Sequence, residues 1–328
     1  MNFEQSAKQQ TLKYFNGDEL ARDVFINKYA LRTSDGKILE QTPYAMQSRI
    51  AKEIVRIEEA YAKNTKADYS LDYKEVFSLF KNFDGLIPAG SSLFGIGKPS
   101  FSSLGNCFVI GDLSDSYGGI LKLDEELAQI MKRRGGVGVD ISHLRPSGAK
   151  VFNAAYSSTG ATSFMSRFSN TTMEVAQGGR RGALMLSIRI SHPDVAKFIM
   201  AKDDTSKIRG ANISLRIDDD FMKAVRDGKK YRLWFGAEIV PVDAQELWGM
   251  IVRQAWKSAE PGVLFWDRII KESPADQYKD FATTSTNPCG EVPLCPYDSC
   301  RLLSINAYKC VEHPFTDHSK LDLDMIES

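Results

Sequence analysis

Three of the five cysteines in this chain fall within twelve positions, Cys289, Cys295 and Cys300, in the segment STNPCGEVPLCPYDSC; Cys310 follows and Cys107 lies far upstream. Thiols grouped in this way could form a metal knuckle, a disulfide staple or a reactive site. Structural zinc wants ligands two to four residues apart, so that one turn presents both thiolates. The intervals here are Cys-x5-Cys-x4-Cys-x9-Cys, with His313 and His318 behind, and no pair has the knuckle spacing; no metal site is expected. Five is an odd number, and in a reducing cytosol such cysteines point to metal binding or catalysis rather than a disulfide framework. Burial as small apolar groups accounts for Cys295 and Cys310.

It accounts poorly for Cys289. Pro288 disfavours helix at Asn287, and Gly290 permits a sharp turn, so the thiol belongs at the tip of a rigid loop. Asn287 supplies a donor and an acceptor and Glu291 a base. With alternation along an extended segment, Asn287, Cys289 and Glu291 point the same way. An amide, a thiol and a carboxylate converging on one volume are the makings of an active site.

The rest of the chain must hold that tip in place. It has 328 residues, 43% apolar and 26% charged, with a formal net charge of zero. That balance gives no electrostatic reason to expect a nucleic-acid or membrane partner. The first residues, MNFEQSAKQQTLKYF, carry no secretory pattern, and no stretch approaches the ~20 apolar residues of a membrane span. A cytoplasmic protein is expected. Residues 1–85 read as a helical region; Met46, Ile50, Ile54, Ile57 and Tyr61 recur at steps of three and four. A Gly-, Pro- and Ser-rich loop spans 84–106. From Cys107 onward strands alternate with helices: CFVI, ALMLSIRI, ANISLRI and YRLWF as strands, LDEELAQIMKRR, GATSFMSRFSNTTMEVAQGG, HPDVAKFIMAK, DDFMKAVRDG and AQELWGMIVRQAW as helices, and RLLSINA continuing the series. Such alternation implies an α/β fold with a mainly parallel sheet or barrel over residues 86–328.

Asn-Pro-Cys-Gly-Glu followed by Pro-Leu resembles the finger loop of ribonucleotide reductase catalytic subunits. SSLGNCFVI, RRGGVGVDISHLRPSGA, QGGRRGALMLSIRISHPDVAKFI and CRLLSINAY resemble further blocks of that family in the family's order, and LARDVFINKYAL resembles its helical entry. The resemblance implies an N-terminal helical segment followed by about half of a ten-stranded α/β barrel, with the finger loop near 285–300. It further implies a thiyl radical on Cys289 that removes the 3′-hydrogen of a ribonucleoside di- or triphosphate, and an enclosed Glu291, its pKa raised, that takes the 3′-hydroxyl proton. Asn287 would orient the sugar, with Asn106 and Cys107 beside it. Cys107 and Cys300, 193 positions apart, would be the redox pair that ends each turnover as a disulfide, later reduced by a thioredoxin-like partner.

The eleven positions from Cys289 to Cys300 resemble the adenosylcobalamin-dependent reductases more than the two-subunit ones, in which a separate metal-carrying subunit delivers the radical. Asp115 and Ser116 match the family's ribose-contacting pair for a deoxynucleoside triphosphate or ATP effector. Arg145 matches a phosphate-reaching position, and Lys202 to Gly210, with Arg209, matches the second specificity loop; a solvated surface explains those loop charges equally well. Arg180-Arg181 reads as a local structural or phosphate pair rather than an RNA site. The family's second half-barrel, later phosphate loop, C-terminal cysteine pair, glycyl-radical motif and ATP-binding cone are not found in these residues. The chain is therefore expected to be half of a split reductase or a truncated piece of one, to associate with itself or with a complementing chain, and to be inactive alone. The alternative is a nucleotide-binding regulatory fragment without chemistry.

Overall fold

The computed structural model describes residues 3–65, 71–99, 101–111, 114–175 and 182–327; Arg180 and Arg181 lie outside them. The chain forms two compact units, one of residues 1–106 with 301–328 and one of residues 107–300. Among the described residues no helix is long and apolar enough to cross a membrane.

The first unit is helical. Its longest helix, Pro43–Thr65, buries Met46 and Ile50 among Ile26, Phe77 and Phe80. Further along the same stripe Ile54 is half-buried and Ile57 and Tyr61 are exposed, so the periodicity outruns the core. Arg49 pairs with the buried carboxylate of Glu40 at 2.7 Å, and Glu40 also accepts from the Leu31 amide. The region expected to be loop, 84–106, contains the strand Leu86–Pro88 and the helix Gly90–Gly95. That strand pairs antiparallel with Leu303–Ile305, so RLLSINA does not continue the main sheet. A partner more than two hundred residues away gives no local signal.

The second unit is built on a six-stranded mixed sheet in the order Ser299–Cys300, Cys107–Val109, Gly136–Asp140, Leu184–Arg189, Asn212–Ile217, Gly262–Phe265. The last five run parallel and the first is antiparallel to its neighbour. One face carries Val137, Val139, Leu184, Leu186, Ile188, Ile213, Leu215 and Ile217, all buried against the helices Tyr117–Met131, Met165–Glu174, Asp219–Asp227 and Ala244–Ser258. Asp218 and Asp243 begin two of those helices by accepting from the Phe221 and Glu246 amides, as N-caps do. YRLWF leaves the series: Lys230–Phe235 forms an antiparallel hairpin with Glu238–Asp243, because the two-residue turn at Gly236 sends the chain straight back.

A parallel sheet covered by helices on both faces reads as continuous apolar strands. These strands alternate instead, and the second face carries Gly136, Gly138, Asp140, Ser187, Arg189, Asn212, Ser214 and Arg216. A hairpin covers that face, packed so closely that a Cβ on Gly138 would lie 1.7 Å from the Thr286 carbonyl oxygen, and one on Gly136 would lie 2.9 Å from Pro288 Cγ. Gly138→Ala is expected to lower unfolding free energy by about 3 kcal/mol or more. Gly118→Ala, whose Cβ meets nothing nearer than 3.7 Å inside a helix, should be neutral or stabilising by ~0.5 kcal/mol. Urea unfolding of the two variants tests this; equal stability would contradict the packing.

Candidate active site

The hairpin pairs Ser285–Thr286 with Pro293–Leu294, and three polar side chains of the sheet hold it. Arg216 donates to Thr284 O at 3.2 Å, Asn212 Nδ2 donates to Pro288 O at 2.8 Å, and the Ser187 and Ser285 hydroxyls lie 3.4 Å apart. Asp140 accepts from Ser187 and pairs with Arg216 at 3.1 Å. At the tip the chain turns rather than extends. The Asn287 amide donates to Val292 O, the Gly290 amide donates to Asn287 O, and the Asn287 side chain accepts from the Val292 amide at 2.9 Å. The same-side alternation expected for Asn287, Cys289 and Glu291 therefore fails. Asn287 is wholly buried, while Cys289 and Glu291 are exposed at the tip. The enclosure expected around Glu291 is absent for the same reason. Asn287 Oδ1 is committed to the turn, which leaves the buried Nδ2 as the group that faces the Cys107 thiol.

Cys107 and Cys300 are register partners on adjacent antiparallel strands. Residues directly opposed in this way have Cα atoms about 4.5–5.5 Å apart, within the span of a disulfide; here both are free thiols. The two share a proton. The hydrogen bond from Cys107 pulls Cys300 down to about 7, against the cost of burial. The same bond, then burial, pushes Cys107 up, and the Asn287 side chain opposes that rise. Charge on Cys289 also disfavours the Cys107 thiolate, and charge on Glu291 disfavours that of Cys300. Three thiols, a carboxylate and an amide thus act on one another. Asn106, next to Cys107 in the chain, has its Oδ1 buried without a hydrogen-bond partner among the described residues. Cys295 and Cys310 are buried, as expected.

A separate cleft of about 390 Å³ is lined by Asp115, Ser116, Tyr117, Arg145, Phe152 and Asn153 among others. Arg145 Nε meets Asp115 Oδ2 at 2.7 Å and its backbone amide donates to Asp115 Oδ1, so the guanidinium assigned to phosphate is turned onto the neighbouring carboxylate. Ser116 Oγ accepts from Gly119 N and caps the helix Tyr117–Met131. Lys202 and Arg209 do not line this cleft. Lys202 is largely buried in an ion pair with Glu260 and donates to Ala211 O; Arg209 is exposed on a small cleft beside Asn212.

Residues 105–328 match the family described as ribonucleotide reductase, barrel domain. The chain belongs to that family. It is 36% identical over 271 residues to the vitamin B12-dependent ribonucleoside-diphosphate reductase of Thermoplasma acidophilum, covering 80% of this chain and 34% of that protein. It is 30% identical over 304 residues to a protein of the same name from Mycobacterium tuberculosis, covering 91% of this chain and 43% of that one. A ribonucleoside-diphosphate reductase large subunit of Variola virus is 28% identical over 217 residues, 61% of this chain and 28% of that protein. The chain thus spans less than half the length of these reductases.

Sequence reasoning named the reductase finger loop but missed what seats it: Gly138, Ser187, Asn212 and Arg216. Alternate glycines in GVGVD were the available signal, since glycine inside a strand marks close approach of another backbone. The shared proton makes a measurable prediction. Thiolate absorbance should show a first ionisation near pH 7 that vanishes in Cys300→Ser. In Cys107→Ala, which removes the donor, it should rise toward the ordinary thiol value of about 8.5. An unmoved midpoint in Cys107→Ala would refute the shared bond.

Proposed function

We propose that this chain carries the substrate chemistry of a ribonucleotide reductase, converting ribonucleoside di- or triphosphates to deoxyribonucleotides. The observation that supports it best is the register pairing of Cys107 with Cys300, with Cys289 and Glu291 in electrostatic reach. In this reading a thiyl radical at Cys289 takes the 3′-hydrogen and Glu291 takes the 3′-hydroxyl proton. The 2′-hydroxyl departs as water, and Cys107 and Cys300 give up two electrons and two protons to end as a disulfide. Glu291 and Cys289 return the 3′-hydroxyl proton and the 3′-hydrogen, which restores the thiyl radical. The exposure of Cys289 and Glu291 leaves room for a ribose at the tip, with the Asn287 side chain beside Cys107. The six-stranded sheet with its polar face and hairpin is read as half of the ten-stranded reductase barrel.

The names of the relatives and the short Cys289–Cys300 interval favour adenosylcobalamin as the radical source, over a separate metal-carrying subunit. The groups around Cys289 supply a thiol to receive the radical and, among the described residues, form no cradle identifiable with a corrin. A thioredoxin-like reductant and a second copy of the chain are the partners this reading entails. The Asp115–Arg145 cleft is read as the effector site for a deoxynucleoside triphosphate or ATP.

One equivalent of diamide should close Cys107 to Cys300, mapped by peptide mass analysis, and thioredoxin should reopen the bridge. Bridges made instead through Cys289 or Cys295 would sink the assignment of the pair. Calorimetric titration with each deoxynucleoside triphosphate should show saturable binding, weakened about tenfold or more in Arg145→Ala, a loss in keeping with one charge-assisted contact. Binding with a pair that never closes would instead favour a regulatory fragment.

A further inference from the structure

The residues that follow the strand Leu184–Arg189 carry two buried polar side chains that the chemistry above does not use, His192 and Asp194. Asp194 occupies the N-cap position of the helix Val195–Ile199. An aspartate there ordinarily accepts from an amide of its own helix, and this one makes no such bond. Its carboxylate turns the other way. Oδ1 and Oδ2 accept from the Ser147 amide at 3.2 and 3.1 Å, and Oδ2 accepts from the Ala161 amide at 3.0 Å. Lys197 is its ion-pair partner at 3.9 Å. Gly160, at φ +95°, runs against the same group: a Cβ there would lie 2.5 Å from Asp194 Oδ2 and 2.7 Å from Ser147 N. Residues 147 and 161 bracket the loop whose side chains, Phe152 and Asn153 included, line the Asp115–Arg145 cleft.

His192 completes the clamp. Its Nδ1 accepts from the Asp194 amide at 3.0 Å, which leaves the ring proton on Nε2 to donate to Leu144 O at 2.9 Å. Burial pulls the imidazole pKa down and keeps it neutral. Leu144 immediately precedes Arg145. One short segment therefore holds the backbone on both flanks of the loop and just before the arginine.

We propose that Asp194 and His192 are the positioning residues of this cleft. They fix the ends of the 147–161 loop in the form that brings Arg145 onto Asp115 and presents the loop to a deoxynucleoside triphosphate. The assignment rests on reading the cleft as the effector site. In Asp194→Asn one acceptor oxygen becomes an NH2 donor facing the Ser147 amide and the charge that strengthens the remaining bonds is lost, so the loop must be ordered by the ligand at the expense of affinity. Because the clamp acts through the arginine, its loss and the loss of Arg145 are not independent.

The test is a double-mutant cycle read by calorimetry with deoxynucleoside triphosphates, using Asp194→Asn, Arg145→Ala and the double variant. Closure of the Cys107–Cys300 bridge by diamide serves as a check that the sheet is intact. Asp194→Asn should bind about tenfold or more weakly, be cut faster by protease between residues 148 and 159, and close its bridge like the parent. The double variant should bind little worse than Arg145→Ala alone. Should Asp194→Asn not fold, Gly160→Ala crowds the same carboxylate from the loop side and takes its place in the cycle. Parental affinity in the clamp variant beside weakened Arg145→Ala, or strictly additive losses, would overturn the assignment and leave the cleft reading standing. Parental affinity in Arg145→Ala would remove the cleft reading itself.

Discussion

The Thr286 carbonyl oxygen occupies the space that any side chain at position 138 would need. That contact sets the depth at which the hairpin lies on the sheet, and the depth fixes the rest. At this distance Asn212 reaches Pro288 O, Arg216 reaches Thr284 O and Ser187 meets Ser285. A hairpin standing even one methyl group higher would lose these bonds and carry Cys289 away from the pair at Cys107 and Cys300. Steric absence on one strand is therefore what allows the electrostatic coupling among residues of three separate segments.

The sheet accommodates this by dividing its faces. Its helix-covered side holds interdigitated Val, Leu and Ile, whereas its other side holds glycine, serine, asparagine and paired charge. Arg216 is stacked 3.7 Å over the Trp266 ring and tied to Asp140, so its charge is compensated where it holds the hairpin. The apolar face packs the core, and the polar face seats the hairpin.

Much of this could be read from the residues in order. The strands at Cys107, Leu184 and Asn212 and the helices Tyr117–Met131, Asp219–Asp227 and Ala244–Ser258 announced themselves by the period of their apolar residues, which is a local property. The thiol at a constrained tip was legible in Pro288-Cys289-Gly290. What could not be read is pairing across distance: Leu303–Ile305 against Leu86–Pro88, or the Glu260 carboxylate beneath Lys202. Alternation failed at Asn287 because its side chain takes the place of a backbone acceptor and folds the tip, an option that spacing alone does not show. Asp194 shows the same limit, since it stands before the helix Val195–Ile199 and yet serves a loop more than thirty positions earlier.

Cys107 and Cys300 are also the first and last residues of the second compact unit. A disulfide between them would make that unit a covalent ring, with both connections to the remaining chain leaving from the same link. By the chain-entropy account, closing a loop of this length restricts the unfolded chain by about 5 kcal/mol. In the proposed reaction, turnover would alternate the unit between an open polypeptide and a cyclic one. The spent form, waiting for reductant, would be the harder of the two to unfold or digest, so the redox state of the pair would also set the lifetime of the molecule.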